Sequence, residues 1–158
     1  MAAQGTMTLF DDFQKQLLSD AVVDHGFESG GEDYKVALIT NAVRATKDDV
    51  DPELGDYTEC SGGTYAAQAI ANQDIDDNDD YYYAVADAVT FDKDAASGPT
   101  DCYQAILYVD DNPYPCVAFI ELTLDAGTTP LSLQDAAIVL SFGSGTRRIF
   151  KMSIPENA

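Results

Sequence analysis

From Asp33 onward, apolar residues recur at every second position in short runs, and each run is cut off by glycine, proline, asparagine or aspartate. A period of two sends alternate side chains to opposite faces of an extended chain, whereas a helix needs a period of 3.6. Tyr34, Val36, Leu38 and Thr40 alternate with Lys35, Ala37 and Ile39, and Tyr83, Val85, Val89 and Phe91 share one side of the segment Tyr82–Phe91. Tyr65–Ala71 reads as another strand, followed by Asp74–Asp80 as an acidic turn. Cys102–Val109 and Cys116–Leu124 predict a hairpin around Asp110-Asp111-Asn112-Pro113, residues that suit a tight turn. Ala136–Phe142 and Arg147–Ser153 predict a second hairpin across Gly143-Ser144-Gly145. Short strands with turn signals roughly every 10–15 residues imply a mainly β fold: one antiparallel β-sandwich or jelly-roll-like domain. Several strands are apolar on both faces, as central strands or strands buried in an assembly would be.

A helical period occurs once, over about residues 8–19, where Phe10, Phe13 and Leu17 fall on one face and Thr8 with Asp11 resembles a capping box. The β-domain is expected over about residues 33–153, interrupted by a polar loop from Asn41 to Thr58, with Pro155–Ala158 as a short tail. A chain of 158 residues suits a single domain with a real core. Met1–Phe10 lacks the basic and apolar regions of a secretion signal, and the longest apolar runs, Pro115–Ile120 and Ala136–Phe142, are strand-sized rather than membrane-spanning.

Charge narrows the partners. The chain carries 28 acidic residues, 22 of them Asp, against eight Lys and Arg, for a formal net charge of −20. Such a surface repels phosphate backbones and anionic lipid, which argues against nucleic-acid and membrane partners. Nine Tyr and seven Phe in dense apolar segments separate it from acidic disordered chains. Asp-rich, Lys-poor surfaces also suit high salt, where charge repulsion reaches only about 3 Å at 1 M.

No catalytic signature stands out. His25 is the only histidine, no Ser or Cys sits in a nucleophile motif, and Gly143-Ser144-Gly145-Thr146 lacks the ending of a P-loop. Cys60, Cys102 and Cys116 lack metal-ligand spacing. Hairpin pairing about Asp111–Pro113 would set Cys116 opposite Val109 and Cys102 opposite Thr123, too far apart for a disulfide, so buried free thiols are expected. The acids Asp74, Asp76, Asn78 and Asp80 invite a divalent cation, but an EF-hand count started at Asp74 puts Asp79 at the glycine position, and one started at Asp76 puts Tyr81 there. A nonstandard cation site or a solvated acidic loop remain, and no other cofactor is implied. Arg147, Arg148 and Lys151 gather three of the eight cations at the C-terminal strand, either blunting an edge or docking against an acidic neighbour. Tyr81 and Tyr82 open their strand and offer interface area with polar tips.

The helix pattern Phe10, Phe13, Leu17, Leu18, the run Lys35-Val36-Ala37-Leu38 and the stretch Tyr57-Thr58-Glu59 with Ser61-Gly62-Gly63 and Tyr65 come in order along the chain. Val89-Thr90-Phe91, Ala105–Tyr108 with the Asp111–Pro113 turn, and Phe142, Gly145, Ile149, Phe150 follow. Over about Phe10 to Phe150 the chain resembles the head decoration (cement) proteins of tailed viruses, whether phages or haloarchaeal viruses. The acidic inserts Asp48–Asp56 and Asp74–Asp80 depart from that pattern. The resemblance implies a non-enzymatic virion protein that binds the major capsid protein on the outer capsid surface as a homotrimer and reinforces it against internal DNA pressure. A calcium-holding adhesin-like β-domain, or a tail or turret component, is the alternative.

Overall fold

The computed structural model describes residues 7–18, 27, 33–78, 81–123, 125, 128–141 and 148–153. The expected fold class is found: mainly antiparallel β-structure in a sandwich-like arrangement with one short helix. The strands are β1 (Met7–Leu9), β2 (Tyr34–Ile39), β3 (Gln68–Ala69), β4 (Asp74–Asn78), β5 (Tyr81–Val85), β6 (Val89–Phe91), β7 (Gln104–Val109), β8 (Cys116–Glu121), β9 (Ile138–Leu140) and β10 (Arg148–Ser153); the helix α1 is Asp11–Leu18. They form a five-stranded sheet in the order β1-β8-β7-β2-β3, a three-stranded sheet β10-β5-β4 and a two-stranded sheet β6-β9.

The continuous apolar runs occupy the middle of the large sheet. Every residue of β7 is buried, as are five of the six in β2. Both faces are therefore covered within this one chain, which accounts for their lack of polar alternation. Pairing places Ala37, Ile106 and Phe119 on one face and Leu38, Ala105 and Ile120 on the other. Phe10 packs on the first face, its ring 5.2 Å from that of Phe119 and 6.5 Å from that of Tyr57. Away from Phe10, Tyr65 stacks on Phe91 of β6 at 5.9 Å, and its hydroxyl accepts the Leu38 N–H at 2.8 Å.

Several expectations are corrected. The N-terminal helix begins at Asp11, not near residue 8, because Met7–Leu9 completes the sheet edge and Thr8 pairs with Phe119 instead of capping a helix. Phe10 is thus the hinge between strand and helix, and Leu17, expected on the buried face, is 40% exposed. The strand expected over Tyr65–Ala71 shrinks to β3, because Tyr65 meets β2 through its hydroxyl rather than its backbone.

Asp74–Asn78 is a strand, not a turn, since β5 supplies a complete antiparallel ladder from Asp74↔Val85 to Asn78↔Tyr81. The segment Tyr82–Phe91 divides at Ala86–Ala88: Asp87 donates its N–H to the Ala71 carbonyl at 2.9 Å and turns the chain from one sheet to another. The second predicted hairpin does not form as such, because β9 pairs with β6 and β10 pairs with β5. Its turn Gly143-Ser144-Gly145, and the tail Pro155–Ala158, lie outside the described residues.

In the β7–β8 hairpin the ladder from Gln104↔Glu121 to Leu107↔Ala118 has the expected register, but an irregularity then sets Cys116 opposite Tyr108 rather than Val109. Cys102 leaves the hairpin altogether and bridges Leu131. All three cysteines are buried free thiols.

The loop from Asn41 to Thr58 is polar yet anchored. The Ala45 N–H donates to Gln104 Oε1 at 2.9 Å, the Lys47 carbonyl accepts the Asp11 N–H at 2.8 Å, and Tyr57 donates its hydroxyl to Asp49 at 2.7 Å.

Candidate interaction surface

The three-stranded sheet gathers most of the residues that the sequence singled out in separate places. Asp74, Asp76 and Asn78 lie on the edge strand β4, Tyr81 and Tyr82 on the central β5, and Arg148 and Lys151 on the other edge strand, β10. The Cα register sets Asp76 level with Tyr83 and Lys151, and Asp77 level with Tyr82 and Met152. Neighbouring strands stand about 4.8 Å apart, so the acidic and basic edges are separated by roughly 10 Å with the tyrosine strand between them. Among the described strands neither β4 nor β10 has a second hydrogen-bonded neighbour. One sheet therefore ends in an acidic edge on one side and a basic edge on the other. Asp80, Arg147 and His25 lie outside the described residues.

Among the described residues no group of three His, Cys, Asp or Glu is placed to hold a metal ion. Residues two apart on one strand are spaced by almost 7 Å, which spreads Asp74, Asp76 and Asn78 along an edge rather than around a point. A cavity of about 170 Å³ opens between Thr64, Tyr65, Gln68, Thr90, Phe91 and Leu133. That is below the range of roughly 300–1,000 Å³ in which small-molecule sites fall.

Burial pushes the Cys116 thiol up, away from the thiolate that a nucleophile needs. The hydrogen bond with Cys102, together with burial, does the same to Cys60.

A second role of the aspartates was not visible in composition. Several organise turns rather than merely covering the surface. Asp94 accepts the N–H groups of Thr64, Ala96 and Ser97, each at 3.1 Å, which ties two loops together. At Gly62, which has φ of +135°, a Cβ would stand 2.7 Å from the Ser97 carbonyl oxygen, so glycine is required for the same junction. Asp125 accepts from the backbone of Thr128 and Thr129, each at 3.0 Å. A sequence signal existed in the short Asp-x-x-Ser and Asp-x-x-Thr spacings, which suit side-chain-to-backbone turns.

These bonds set the acid response. Backbone donors from Thr64, Ser97 and Ala96 hold the Asp94 carboxyl below the usual range, and Thr129 does so for Asp125. At Asp49 desolvation pushes upward, but the bonds from Thr46 and Tyr57 outweigh it and the net shift is downward. A depressed folded-state value contributes stability that is complete above the unfolded carboxyl value of about 3.9 and is lost as pH falls through the folded values. Asp51 opposes this: its hydrogen bond with Asp12 raises it, so its contribution is present at low pH and lost as pH rises. Among the carboxyls of the described residues with a resolved shift, three are depressed and one is raised. Thermal unfolding followed by circular dichroism is therefore expected to give a Tm that is level from neutral pH to about pH 5 and falls below about pH 4, with a shallower fall in Asp94→Asn.

Compared with family models, curated proteins and solved structures, the chain matches none.

Proposed function

We propose that this chain is a non-enzymatic structural protein of a tailed-virus particle, binding the major capsid protein on the outer face of the head and associating with further copies of itself as a homotrimer. The observation that carries the reading is the charge-divided sheet, with acidic β4 at one edge and basic β10 at the other. Like-charged edges repel, so two β4 edges disfavour one another, whereas a basic β10 edge suits an acidic neighbour. An interface between two different edges is heterologous, and heterologous contacts build rings when their rotation closes. A net charge of −20 keeps the remaining surface hydrated and dispersed on a crowded particle, and the fully buried central strand β7 provides a rigid platform.

The test is to separate particles carrying this protein into heads and tails and then to rebind purified protein to stripped heads. Recovery with heads, as regular density on their exterior, is the expected result; recovery with tails alone would overturn the reading. The double variant Arg148→Glu, Lys151→Glu is expected to lose self-association, seen as a smaller species in sedimentation. Adding Asp76→Lys and Asp77→Lys to the same chain is expected to restore it, because the two edges have exchanged sign.

A further inference from the structure

Two cysteine-bearing segments far apart in sequence flank the end of β2, and the Cys60 side chain reaches from one to the other. The Cys60 N–H donates to the Leu38 carbonyl at 2.8 Å, and the Tyr103 N–H donates to the next carbonyl, Ile39, at 3.0 Å. Consecutive carbonyls of one strand point to opposite edges, so β2 fixes one cysteine-bearing segment on each side of its end. The two backbone bonds between Cys102 and Leu131, at 3.0 and 2.9 Å, pin Cys102 further. The Cys60 thiol lies 3.9 Å from the carbonyl oxygen of Asp101, the residue before Cys102, and the neighbouring Cys102 thiol, together with burial, pushes the Cys60 thiol up. Both residues are buried, at 2% and 0% exposure. Cys116 is elsewhere: it pairs with Tyr108 near the far end of β7, whereas Cys102 precedes the start of that strand and bridges Leu131.

We infer that Cys60 and Cys102 form a redox-controlled staple, free as thiols under reducing conditions and joined as a disulfide when a small-molecule disulfide is present. The balance is that of thiol–disulfide exchange. One cysteine thiolate attacks a sulfur of glutathione disulfide, the S–S bond breaks, and one glutathione leaves and takes up a proton. The second cysteine thiolate then attacks the mixed disulfide and releases the other glutathione. Two protein thiols are oxidised and one glutathione disulfide is reduced to two thiols. Burial shields both sulfurs in the closed fold, so exchange proceeds during folding or local opening.

The placement gives the bond a consequence. The segment between residues 60 and 102 contains β3, β4, β5 and β6, including two strands of the charge-divided sheet. A cross-link at its two ends would restrict that whole excursion in the unfolded chain, where long loops gain most. This inference does not depend on the virion reading.

The test uses the full chain, wild type and Cys116→Ser, unfolded and refolded with either oxidised glutathione or a reductant, then alkylated in denaturant and mapped by mass spectrometry. Oxidised samples of both are expected to yield the Cys60–Cys102 cross-linked peptide, with Cys116 alkylated in the wild type. Tm should rise by about 5–15 °C and return on reduction. Cys60→Ser should show no rise. Separate alkylation or glutathionylation of Cys60 and Cys102 in refolded protein would overturn the inference, as would a disulfide between them that lowers Tm.

Discussion

Replacing Phe10 by alanine is expected to lower the unfolding free energy by about 3–5 kcal/mol, the range for deleting a fully buried aromatic ring. Phe10 has no exposed surface, and it sits where β1 gives way to α1. Its N–H donates to Val117 and its carbonyl accepts from Gln14, so the backbone is bound on both sides and cannot move in to fill the space. The surrounding rings are held too. Phe119 belongs to β8, paired on both edges, and Tyr57 is tethered through its hydroxyl to Asp49. A site that cannot collapse retains its cavity, which places the cost in the upper part of the range. Urea titration should show a lower midpoint with an unchanged slope, and Phe10→Leu should cost less than half as much. A loss below about 1 kcal/mol for the alanine variant would contradict this packing.

Phe10 also illustrates what the sequence can and cannot disclose. Its helical spacing to Phe13 was legible, but the same residue ends a strand, and nothing local distinguishes Thr8 as a cap from Thr8 as a partner of Phe119. The cores of β2, β7 and β8 were legible because their apolar runs are dense enough to need cover on both faces. The hairpin register was legible up to Leu107↔Ala118 because turn chemistry sets it, and it failed at Cys116, where the irregularity depends on how the tip packs.

The remaining errors share a physical origin in long-range pairing. Asp74–Asn78 has the composition of a turn, and it becomes a strand only because β5 offers a ladder. Gly143-Ser144-Gly145 suggested that its flanks pair with each other, whereas β9 and β10 find partners in β6 and β5, some fifty to seventy residues earlier in the chain. The acidic and basic candidates were therefore seen singly and not as opposite edges of one sheet. The contact between Cys60 and Cys102 was hidden for the same reason.

The second large effect is expected from a buried polar side chain at the start of the central strand β7. Gln104→Met should destabilise the protein by about 2–4 kcal/mol although it conserves volume and adds apolar surface. Gln104 is 2% exposed; its Oε1 accepts the Ala45 N–H at 2.9 Å, and its Nε2 donates to the Ala45 carbonyl at 3.1 Å. One amide thus satisfies both backbone groups of a residue that is itself 4% exposed. Methionine offers neither a donor nor an acceptor of comparable strength, and each buried group left unmatched costs about 1–3 kcal/mol. The same Nε2 lies 3.4 Å from Glu121, which pairs with Arg44, so the amide also connects the loop to a charged pair at the sheet surface. Gln104→Glu separates the two functions. A carboxylate can still accept from Ala45, but it cannot donate to the carbonyl and it faces Glu121 with like charge, so it should also destabilise at neutral pH, and its cost relative to the wild type should shrink as the introduced carboxyl is protonated in acid. Chemical denaturation of the two variants at neutral and acidic pH distinguishes these cases. A Gln104→Met cost near zero would mean that water or a rearranged loop meets the needs of Ala45, and that the polar loop is held to the sheet by its other anchors, Lys47 with Asp11 and Tyr57 with Asp49.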